Sequence, residues 1–396
     1  MITSRHFAPV QKAVDGGRNS VYAHGMAKPS DLEIFLVAVP GLEEALCDEA
    51  RSRGFRNPKK VAGGVTISGK WRDVWRANLE LRGASRVLAR IGAFRVLHLA
   101  QLDKRARAFP WRDVLRSDVP VRVDVTCRKS RIYHSGAAAQ RIETALREEL
   151  KLTITGDADL CIKARIEDDL CTISIDTSGG MLHKRGHKEA VAKAPLRETM
   201  ASLFLRQCGF HGSEPVLDPM CGSGTLVIEA AEIAMGLNPG RDRHFAFESL
   251  STFDPGFWAK MRDARDTKTP MVKFFGSDRD AGAIRMAKSN AGRAGVSDVV
   301  AFQQRAISNL VRPDGPPGLV IINPPYGARL GDKKPLFGLH GALGKALRER
   351  FSGWRVGLIT ADASLAKATG LPFLPPGEPV LHGGLRVRLF RTEALA

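Results

Sequence analysis

Residues 318–327 read GLVIINPPYG and combine a short apolar run with Asn323 and two consecutive prolines. Residues 318–322 predict a buried strand, because a brief apolar run bounded by turn residues is typical of a sheet core. The strand cannot continue through the prolines, since proline has no N–H for the ladder and fixes its own φ. The chain therefore leaves the sheet in a stiff loop, and in open parallel sheets such loops hold ligands.

The polar groups of this loop suit a planar amine. The side-chain oxygen of Asn323 can accept one N–H, and the backbone carbonyl of Pro324 can accept the other. With both hydrogens engaged, the lone pair of the nitrogen is turned out of conjugation and towards an electrophile. Tyr326 offers a face on which an extruded base could stack. A proline-rich turn with an asparagine cap is the alternative interpretation.

A second motif lies upstream, where a short strand at residues 215–217 is followed by DPMCGSGT at residues 218–225 and a helix at residues 226–235. The loop lacks the G-x-G-x-x-G spacing and the P-loop lysine. Gly222 and Gly224 allow close approach of a ligand, and the helix N-terminus behind them favours a carboxylate. Asp218 can accept from an ammonium group, so the motif fits the methionine end of S-adenosylmethionine. A glycine turn that only packs a helix against the sheet is the alternative.

The following strands extend the same sheet. Residues 272–275 predict a strand that leads to Asp278, an acid placed to accept from ribose hydroxyls. A polar and aromatic insertion at residues 236–270 separates it from Asp218. The strand at residues 299–303 should reach the adenine, although Arg305 stands where an acid is expected. Strands at residues 355–360 and 385–391 complete the sheet, the latter paired with residues 378–381 through a Gly-Gly turn.

Composition narrows the class of protein. A chain of 396 residues with 43% hydrophobic residues can bury more than one core. No apolar run reaches about 18 residues, so we expect no membrane span. Six cysteines are scattered without C-x-x-C pairs or clustered histidines, which argues against a zinc site and against a disulfide framework. A reducing cytoplasm is the expected setting. The net charge of +18 predicts a polyanionic partner.

Four segments are predicted. Residues 1–30 form a polar leader that lacks the apolar core of a secretory signal. Residues 31–176 alternate short strands with amphipathic helices and predict an α+β domain. Residues 177–195 are rich in Gly, Lys and His and predict a linker, and residues 196–396 predict the α/β domain with both motifs. In the α+β domain, strands are expected at residues 33–39, 60–61, 64–68 and 118–126 and twice within 159–176, and helices at 42–53, 71–78 and 137–150.

A basic run within the α+β domain predicts contact with nucleic acid. Residues 103–141 contain ten Lys or Arg against four acids, with Trp111 and Tyr133 interleaved. Cations with aromatic residues among them suit a phosphate backbone, although charge runs also mark solvated surfaces. The candidate RNA-binding residues are Arg128, Lys129 and Arg131 in this run and Lys184, Arg185 and Lys188 in the linker.

The combined motifs carry a family resemblance. The order Asp218-Pro-Met-Cys-Gly-Ser-Gly-Thr, Asp278, Asn323-Pro-Pro-Tyr resembles class I S-adenosylmethionine-dependent methyltransferases that modify exocyclic amines. From Leu32 to the end, the chain is similar to the THUMP-containing 23S rRNA guanine-N2 methyltransferases, which share the linker motifs Asp176-Thr-Ser-Gly, Leu182-His-Lys-Arg-Gly and Ala194-Pro-Leu-Arg-Glu-Thr. The resemblance implies a ferredoxin-like and THUMP region followed by a Rossmann-like domain with a seven-stranded, mostly parallel sheet and an antiparallel last strand.

The resemblance also implies roles for particular residues. The cofactor would contact Asp218, Cys221, Gly222, Gly224 and Asp278, and the target amine would contact Asn323 and Pro324 with Tyr326 stacking on the base. Two positions depart from the family, since Arg305 replaces an acid and Ala328 stands where relatives often carry Glu. Some relatives are fused to a second methyltransferase, whereas a chain ending at Ala396 would have one activity.

The expected reaction is methyl transfer from S-adenosylmethionine to the N2 amine of a guanine in 23S rRNA, without a metal. Three alternatives remain open at this point. The substrate could be a tRNA guanine, because related THUMP proteins act on tRNA. The base could be adenine, methylated at N6 in RNA or DNA, because the same loop suits either amine. The chain could also be a non-catalytic RNA-binding factor in ribosome assembly.

Overall fold

The computed structural model describes residues 31–189, 196–264, 267–325 and 334–396, which form one compact unit. These ranges contain fourteen strands and ten α-helices. The predictions for residues 1–30, Ala194, Tyr326 and Ala328 concern positions outside the described residues.

The first seven strands form one sheet. They are β1 (Leu32–Val37), β2 (Arg56–Val61), β3 (Gly64–Gly69), β4 (Arg86–Arg95), β5 (Val121–Arg128), β6 (Leu160–Glu167) and β7 (Leu170–Asp176), in the order β2-β3-β1-β4-β7-β6-β5. Every neighbouring pair is antiparallel except β5 and β6. The pairing of β4 with β7 joins the first four strands to the last three, so the α+β region shares one continuous sheet.

Four helices accompany this sheet. They are α1 (Glu43–Ser52), α2 (Trp71–Glu80), α3 (Leu99–Arg107) and α4 (Ser135–Leu150). Each presents small and aliphatic residues to the core, as α4 does with Ala138, Ile142 and Leu146. The prediction of an α+β domain over this region is thus confirmed.

The remaining strands form a second sheet. They are β8 (Val216–Asp218), β9 (Phe274–Asp278), β10 (Val300–Gln304), β11 (Leu319–Ile322), β12 (Arg355–Thr360), β13 (Val380–His382) and β14 (Leu385–Arg391), in the order β10-β9-β8-β11-β12-β14-β13. The first five pair with one another in parallel, and β14 is antiparallel to both β12 and β13. This is the predicted Rossmann-like sheet with an antiparallel last strand.

Six helices belong to the second half of the described chain. They are α5 (Glu198–Gln207), α6 (Thr225–Ala234), α7 (Pro255–Asp263), α8 (Ala281–Ala294), α9 (Lys334–Arg350) and α10 (Ala363–Ala368). The strand order reverses beside β8, because β9 continues the sheet on one side and β11 on the other. Ligands bind outside the carboxyl ends of strands at such a switch point.

Two hydrophobic cores support these layers. One is continuous beneath both sheets and includes Ile34, Ile173, Phe204 and Leu389, so the two halves of the described chain share buried apolar surface. The other lies under α9 and includes Val320, Leu347 and Trp354. Within the described ranges, no helix has the length and apolar character needed to cross a membrane.

The sequence pattern predicts neither α3 nor α7. Helix α3 overlaps the basic run at residues 103–141, and α7 lies in the polar insertion at residues 236–270. Helix α3 carries part of the basic run, and its buried residues are only Leu102 and Ala106. Helix α7 occupies the insertion and buries Trp258. A short helix with one or two anchors has too weak an apolar period to be recognised.

Candidate active site

The second sheet brings three polar residues to one edge. Asp218 ends β8, Asp278 ends β9 and Asn323 directly follows β11. Asp218 lies beside Gly276 in the parallel register, so Asp278 is further along its strand in the same direction. Val320 lies beside Leu217, which likewise places Asn323 beyond the level of Asp218. The predicted cofactor and amine residues therefore meet at the carboxyl ends of adjacent strands.

Asp218 lies deep in this edge. Its side chain is 3% exposed, and Oδ1 accepts a hydrogen bond of 3.0 Å from the backbone N–H of Met220. The pKa of Asp218 is raised to about 8, mainly by burial; the Met220 hydrogen bond opposes this rise and the charge of the nearby Asp278 adds to it. A buried carboxylate held this way gains most from a cation, which is the property needed to bind an ammonium group.

Asp278 links its own strand to the glycine loop. Oδ2 accepts from the backbone N–H of Gly222 at 3.0 Å, and Oδ1 accepts from the backbone N–H of Asp280 at 3.0 Å. Cys221 adds a second link, because its N–H donates to the carbonyl of Ser277 at 2.9 Å. Each carboxylate oxygen of Asp278 keeps a further lone pair. The side chain thus fixes the loop and can still accept from a diol.

The two loop glycines have different surroundings. Gly222 has a φ of 51°, and a Cβ built on it would meet no atom within 4 Å. Gly224 has a φ of 86°, and its Cβ would lie 3.1 Å from both Ala287 and Phe302. Both positions require the left-handed region, but only Gly222 faces open space. A ligand at the sheet edge therefore has room to approach the backbone of Gly222.

This difference predicts contrasting effects of alanine. Gly222→Ala should lower the melting temperature by only a few degrees, because the left-handed backbone costs roughly 1–2 kcal/mol, but it should strongly weaken cofactor binding. Gly224→Ala should destabilise the fold more, since its Cβ presses on Ala287 and Phe302. Thermal melting and equilibrium binding of S-adenosylhomocysteine would measure both. Unchanged binding to Gly222→Ala would exclude a close approach of ligand at that position.

The loop after β11, which begins at Asn323, starts where the sequence predicts that the strand ends. Asn323 is half-buried, Pro324 is buried and Pro325 is exposed. Oδ1 of Asn323 is buried, and no donor among the described residues reaches it. An unpaired buried acceptor is costly unless a ligand completes its hydrogen bond. Tyr326, the predicted stacking residue, lies outside the described residues.

Two residues that support the glycine loop escape the sequence analysis. Asn290 of α8 is 0% exposed, and its Nδ2 donates to the carbonyl of Ser223 at 3.0 Å. Arg293 contacts Asn290 and donates from Nε to the carbonyl of His187 at 2.7 Å. These contacts connect the linker to the loop through α8. An asparagine within an alanine-rich helix is the only signal in the sequence that points to this role.

Arg305 stands where an acid is expected, but its side chain cannot take over the hydrogen-bond acceptance that an acid would provide. Its backbone N–H donates to the carbonyl of Asp278 at 2.8 Å, and its guanidinium donates to the side chain of Gln303 at 2.9 Å. The residue extends the β9–β10 pairing by one bond. Its side chain is a donor only and cannot accept from the exocyclic amine of adenine.

The candidate RNA-binding residues of the first sheet lie at the end of β5 and in the segment that follows it. Arg128 and Arg131 are 67% and 71% exposed and approach carboxylates at 3.7 and 3.9 Å. Lys129 adopts a φ of 48°, and Tyr133 is 85% exposed. Trp111 is different, since it is 1% exposed and donates to the carbonyl of Ala106 at 2.7 Å. The expectation that Trp111 belongs to the same surface is therefore wrong.

The linker residues separate into two groups. Lys184 is exposed, whereas Arg185 is 3% exposed and lies 3.2 Å from Glu229 of α6. The interpretation of Arg185 as an RNA-binding residue is contradicted by this burial, because phosphate cannot reach the guanidinium. Lys188 is half-buried and pairs with Glu198 at 3.2 Å. A basic run in sequence does not distinguish a buried cation from a solvated one.

Arg185 is part of a buried ionic network between the two halves of the chain. Arg82, which follows α2, contacts Glu229 at 2.8 Å and Glu232 at 3.1 Å. Arg241 contacts Glu232 at 2.6 Å. Since both glutamates lie on α6, the network anchors the helix whose N-terminus carries the glycine loop. Across the described ranges, no cluster of three His, Cys, Asp or Glu side chains could hold a metal ion.

Three family models match the chain. An RlmL ferredoxin-like domain matches residues 33–88, a THUMP domain matches residues 98–176 and an RMKL-like methyltransferase domain matches residues 185–372. The first two matches fall on the continuous N-terminal sheet. The third contains Asp218, Asp278 and Asn323.

Similar proteins agree with these family matches. The ribosomal RNA large subunit methyltransferase K/L of Psychromonas ingrahamii is 32% identical over 355 residues, which cover 86% of this chain and 47% of that protein. The chain thus spans about half the length of this relative. A predicted N6-adenine-specific DNA methylase from Listeria monocytogenes is 29% identical with a TM-score of 0.82, covering 92% of this chain and 96% of its own. SMU.472, solved with SAH, is 26% identical with a TM-score of 0.82, covering 93% of this chain and 100% of its own.

Proposed function

We propose that this chain, which belongs to the THUMP-containing methyltransferases of the S-adenosylmethionine-dependent class I fold, methylates the exocyclic N2 amine of a guanine in 23S rRNA. The observation that carries the chemistry is the buried Oδ1 of Asn323, which lacks a donor among the described residues. We assign an N–H of the target amine to this oxygen, because it can accept such a donor. The choice of 23S rRNA is favoured by the ribosomal RNA methyltransferase K/L of P. ingrahamii.

The residues at the carboxyl edge of the sheet fit S-adenosylmethionine. We assign the ammonium group to Asp218, the ribose hydroxyls to Asp278 and the carboxylate to the first turn of α6. The first intrahelical bond of α6 runs from Ile228 to Gly224, so the N–H groups that precede it have no acceptor within the helix. Cys221, Gly222 and Gly224 would line the same pocket. The bound cofactor supplies an electrophilic methyl group on its sulfonium.

The amine loop orients the nucleophile. Asn323 accepts one N–H of the target amine and the carbonyl of Pro324 accepts the other, which directs the nitrogen lone pair out of the plane of the base. Tyr326 would hold the extruded base by stacking. Alignment of this kind can supply about 7–11 kcal/mol of the barrier reduction. Direct transfer forms the N–CH3 bond as the S–CH3 bond breaks, releases S-adenosylhomocysteine and passes the proton lost from the nitrogen to solvent. It therefore needs no covalent intermediate with the protein.

Cofactor binding should depend on pH because of Asp218. The pKa of about 8 means that the carboxyl is largely protonated at neutral pH in the free protein, whereas an ammonium ligand requires the carboxylate. Binding should thus release a proton, and affinity should rise about tenfold per pH unit as the pH approaches 8 from below. Calorimetry in buffers of different ionisation enthalpy measures the released proton. Asp218→Asn should bind the cofactor weakly, and its affinity should not rise with pH below 8. An equal rise of affinity with pH in this variant would mean that a group other than Asp218 titrates.

The RNA substrate is proposed from the first half of the chain. We assign residues 31–176 to RNA binding, residues 177–195 to the linker and residues 196–396 to catalysis. Arg128, Lys129 and Arg131 present exposed cations beside Tyr133, and Lys184 adds another from the linker. Cations of this kind contact phosphates without reading sequence. We place the protein in the cytoplasm, where its substrate would be made.

Two observations favour other substrates. The Listeria relative is described as an N6-adenine-specific DNA methylase, and the Asn-Pro-Pro-Tyr loop suits that amine equally. The THUMP match is compatible with a tRNA guanine as well. A non-catalytic RNA-binding role in ribosome assembly would instead leave the cofactor residues without a task, and it predicts no thermal shift with S-adenosylmethionine.

Nucleoside mass spectrometry would test the proposed substrate. The 23S rRNA and tRNA fractions should be separated from cells with and without this gene. Loss of N2-methylguanosine from the 23S fraction alone is the expected result. Loss of N2-methylguanosine from tRNA alone would keep the proposed reaction but show that tRNA is the substrate. A fall in N6-methyladenosine instead would show that adenine is the methylated base.

A further inference from the structure

The hairpin of β13 and β14 extends beyond the catalytic edge of the second sheet. Arg388 is paired with Thr360, the last residue of β12, so the preceding residues of β14 lie past the carboxyl end of β12. Gly383 and Gly384 close the hairpin with φ angles of 56° and 84°, as a two-residue type I′ turn requires. The tip therefore projects from the same edge as Asn323.

The base of the hairpin is fixed while its tip is exposed. Val380 and Val387 are 1% and 0% exposed and belong to the shared core. A Cβ on Gly41 would lie 2.5 Å from the carbonyl of Pro379, so the hairpin base packs directly against the first half of the chain. By contrast, Leu381 and Leu385 at the tip are 55% and 41% exposed. The tip thus offers apolar surface on a rigid support.

Cations lie around this apolar tip, and the two on β14 have no carboxylate partner among the described residues. Arg386 and Arg388 are exposed, and neither forms an ion pair within the described part of the chain. The pKa of the half-buried His382 is lowered, first by burial and then by the nearby charges of Arg197 and Lys188. Arg128 and Arg131 of the THUMP region, in comparison, already approach carboxylates. The hairpin cations are therefore the less neutralised of the two groups.

We propose that the hairpin tip, defined as Leu381, His382, Leu385, Arg386 and Arg388, binds unpaired nucleotides that flank the target base. Phe390 of β14 pairs with Leu358 of β12, which in turn pairs with Ile322 of β11. Two strand spacings separate the hairpin from the amine loop, a lateral distance of roughly 10 Å. A strand of RNA that delivers a base to Asn323 would therefore pass beside these residues.

Unpaired RNA fits this surface better than a duplex does. A base must leave its stack to reach a pocket, so its neighbours are splayed as well. Leu381 and Arg386 are cross-strand partners, which places an apolar and a cationic side chain on one face. Exposed bases can contact the leucines while phosphates contact the arginines. A paired helix would offer only phosphates and ribose.

The experiment compares two double variants that remove the same charge. Arg386→Ala/Arg388→Ala alters the hairpin, and Arg147→Ala/Lys345→Ala removes exposed cations that already pair within their own helices. The probes are a 20-nucleotide uridine oligomer and an RNA duplex of the same length. The hairpin variant should raise the Kd for the oligomer about tenfold and reduce the salt slope by about 1.4, with less change for the duplex. The control should change each Kd less than twofold.

A third variant separates the apolar contribution. Leu381→Ser/Leu385→Ser should weaken oligomer binding without changing the salt slope, because it removes no phosphate contact. Equal losses in the hairpin and control variants, or equal losses for oligomer and duplex, would overturn the proposal. So would unchanged RNA binding accompanied by lost binding of poly-glutamate, which would make the tip a docking surface for acidic proteins.

The proposal rests on the proposed function for its choice of RNA, and one further measurement keeps the two distinguishable. Methyl transfer to deproteinised 23S rRNA should be assayed with the unaltered chain. Absence of transfer with hairpin-dependent oligomer binding would remove the proposed substrate and retain the RNA surface. Normal methyl transfer, together with binding of both probes that does not depend on the hairpin, would retain the proposed substrate and remove the RNA surface.

Discussion

Asn323→Ala should abolish methyl transfer while leaving cofactor affinity nearly unchanged. The substitution removes the buried Oδ1, which has no donor among the described residues and which we propose accepts an N–H of the target amine. Loss of this acceptor leaves the target amine free to rotate, and misplacement by about 1 Å can reduce the rate roughly 10²-fold. We expect at least that loss in kcat under saturating cofactor. Single-turnover methylation of rRNA and equilibrium binding of S-adenosylhomocysteine measure the two effects separately.

The matched control is Asn309→Ala, which makes the same change at an exposed asparagine outside the proposed site. It should retain full activity. Asn323→Asp keeps an acceptor oxygen in the same place, so it should retain more activity than Asn323→Ala. A parallel loss of cofactor binding and of melting temperature in Asn323→Ala would mean that the side chain supports the loop rather than the amine.

Local patterns predict the second sheet well. Three segments each combine a buried strand with a loop at its carboxyl end. They are the strands that lead to Asn323, Asp218 and Asp278. Parallel strands then bring these loops to one edge without any further information. The prediction succeeds because each motif is short, and the geometry that unites them follows from the topology of the fold.

Long-range contacts are what the local patterns miss. Arg185 reads as a solvated cation because its neighbours in sequence are Lys184 and Gly186, but in space it faces Glu229 of α6. Asn290 reads as a neutral helix residue, although it donates to the carbonyl of Ser223. Both roles depend on partners from distant parts of the chain. Burial of a charge can be inferred only when its partner is known.

Arg82→Met should lower the free energy of unfolding by about 3–5 kcal/mol, because it leaves Glu229 and Glu232 buried without their shared cation. Arg82 is 4% exposed, and the two glutamates are 1% and 0% exposed. Arg241 and Arg185 remain, but each contacts only one of the glutamates. Denaturant unfolding followed by circular dichroism measures the loss. The cofactor loop should loosen as well, since both glutamates lie on the helix that begins at that loop.

Arg116→Met provides the matched control, because it breaks an arginine–carboxylate pair of 2.6 Å with Asp118 on the surface. Those side chains are 49% and 62% exposed, so solvent already screens the pair and the change should cost at most about 1 kcal/mol. Equal effects in the two variants would mean that the buried network contributes no more than a surface pair. The expected difference arises from desolvation, since a carboxylate that loses its partner at the surface is hydrated whereas Glu229 and Glu232 are not.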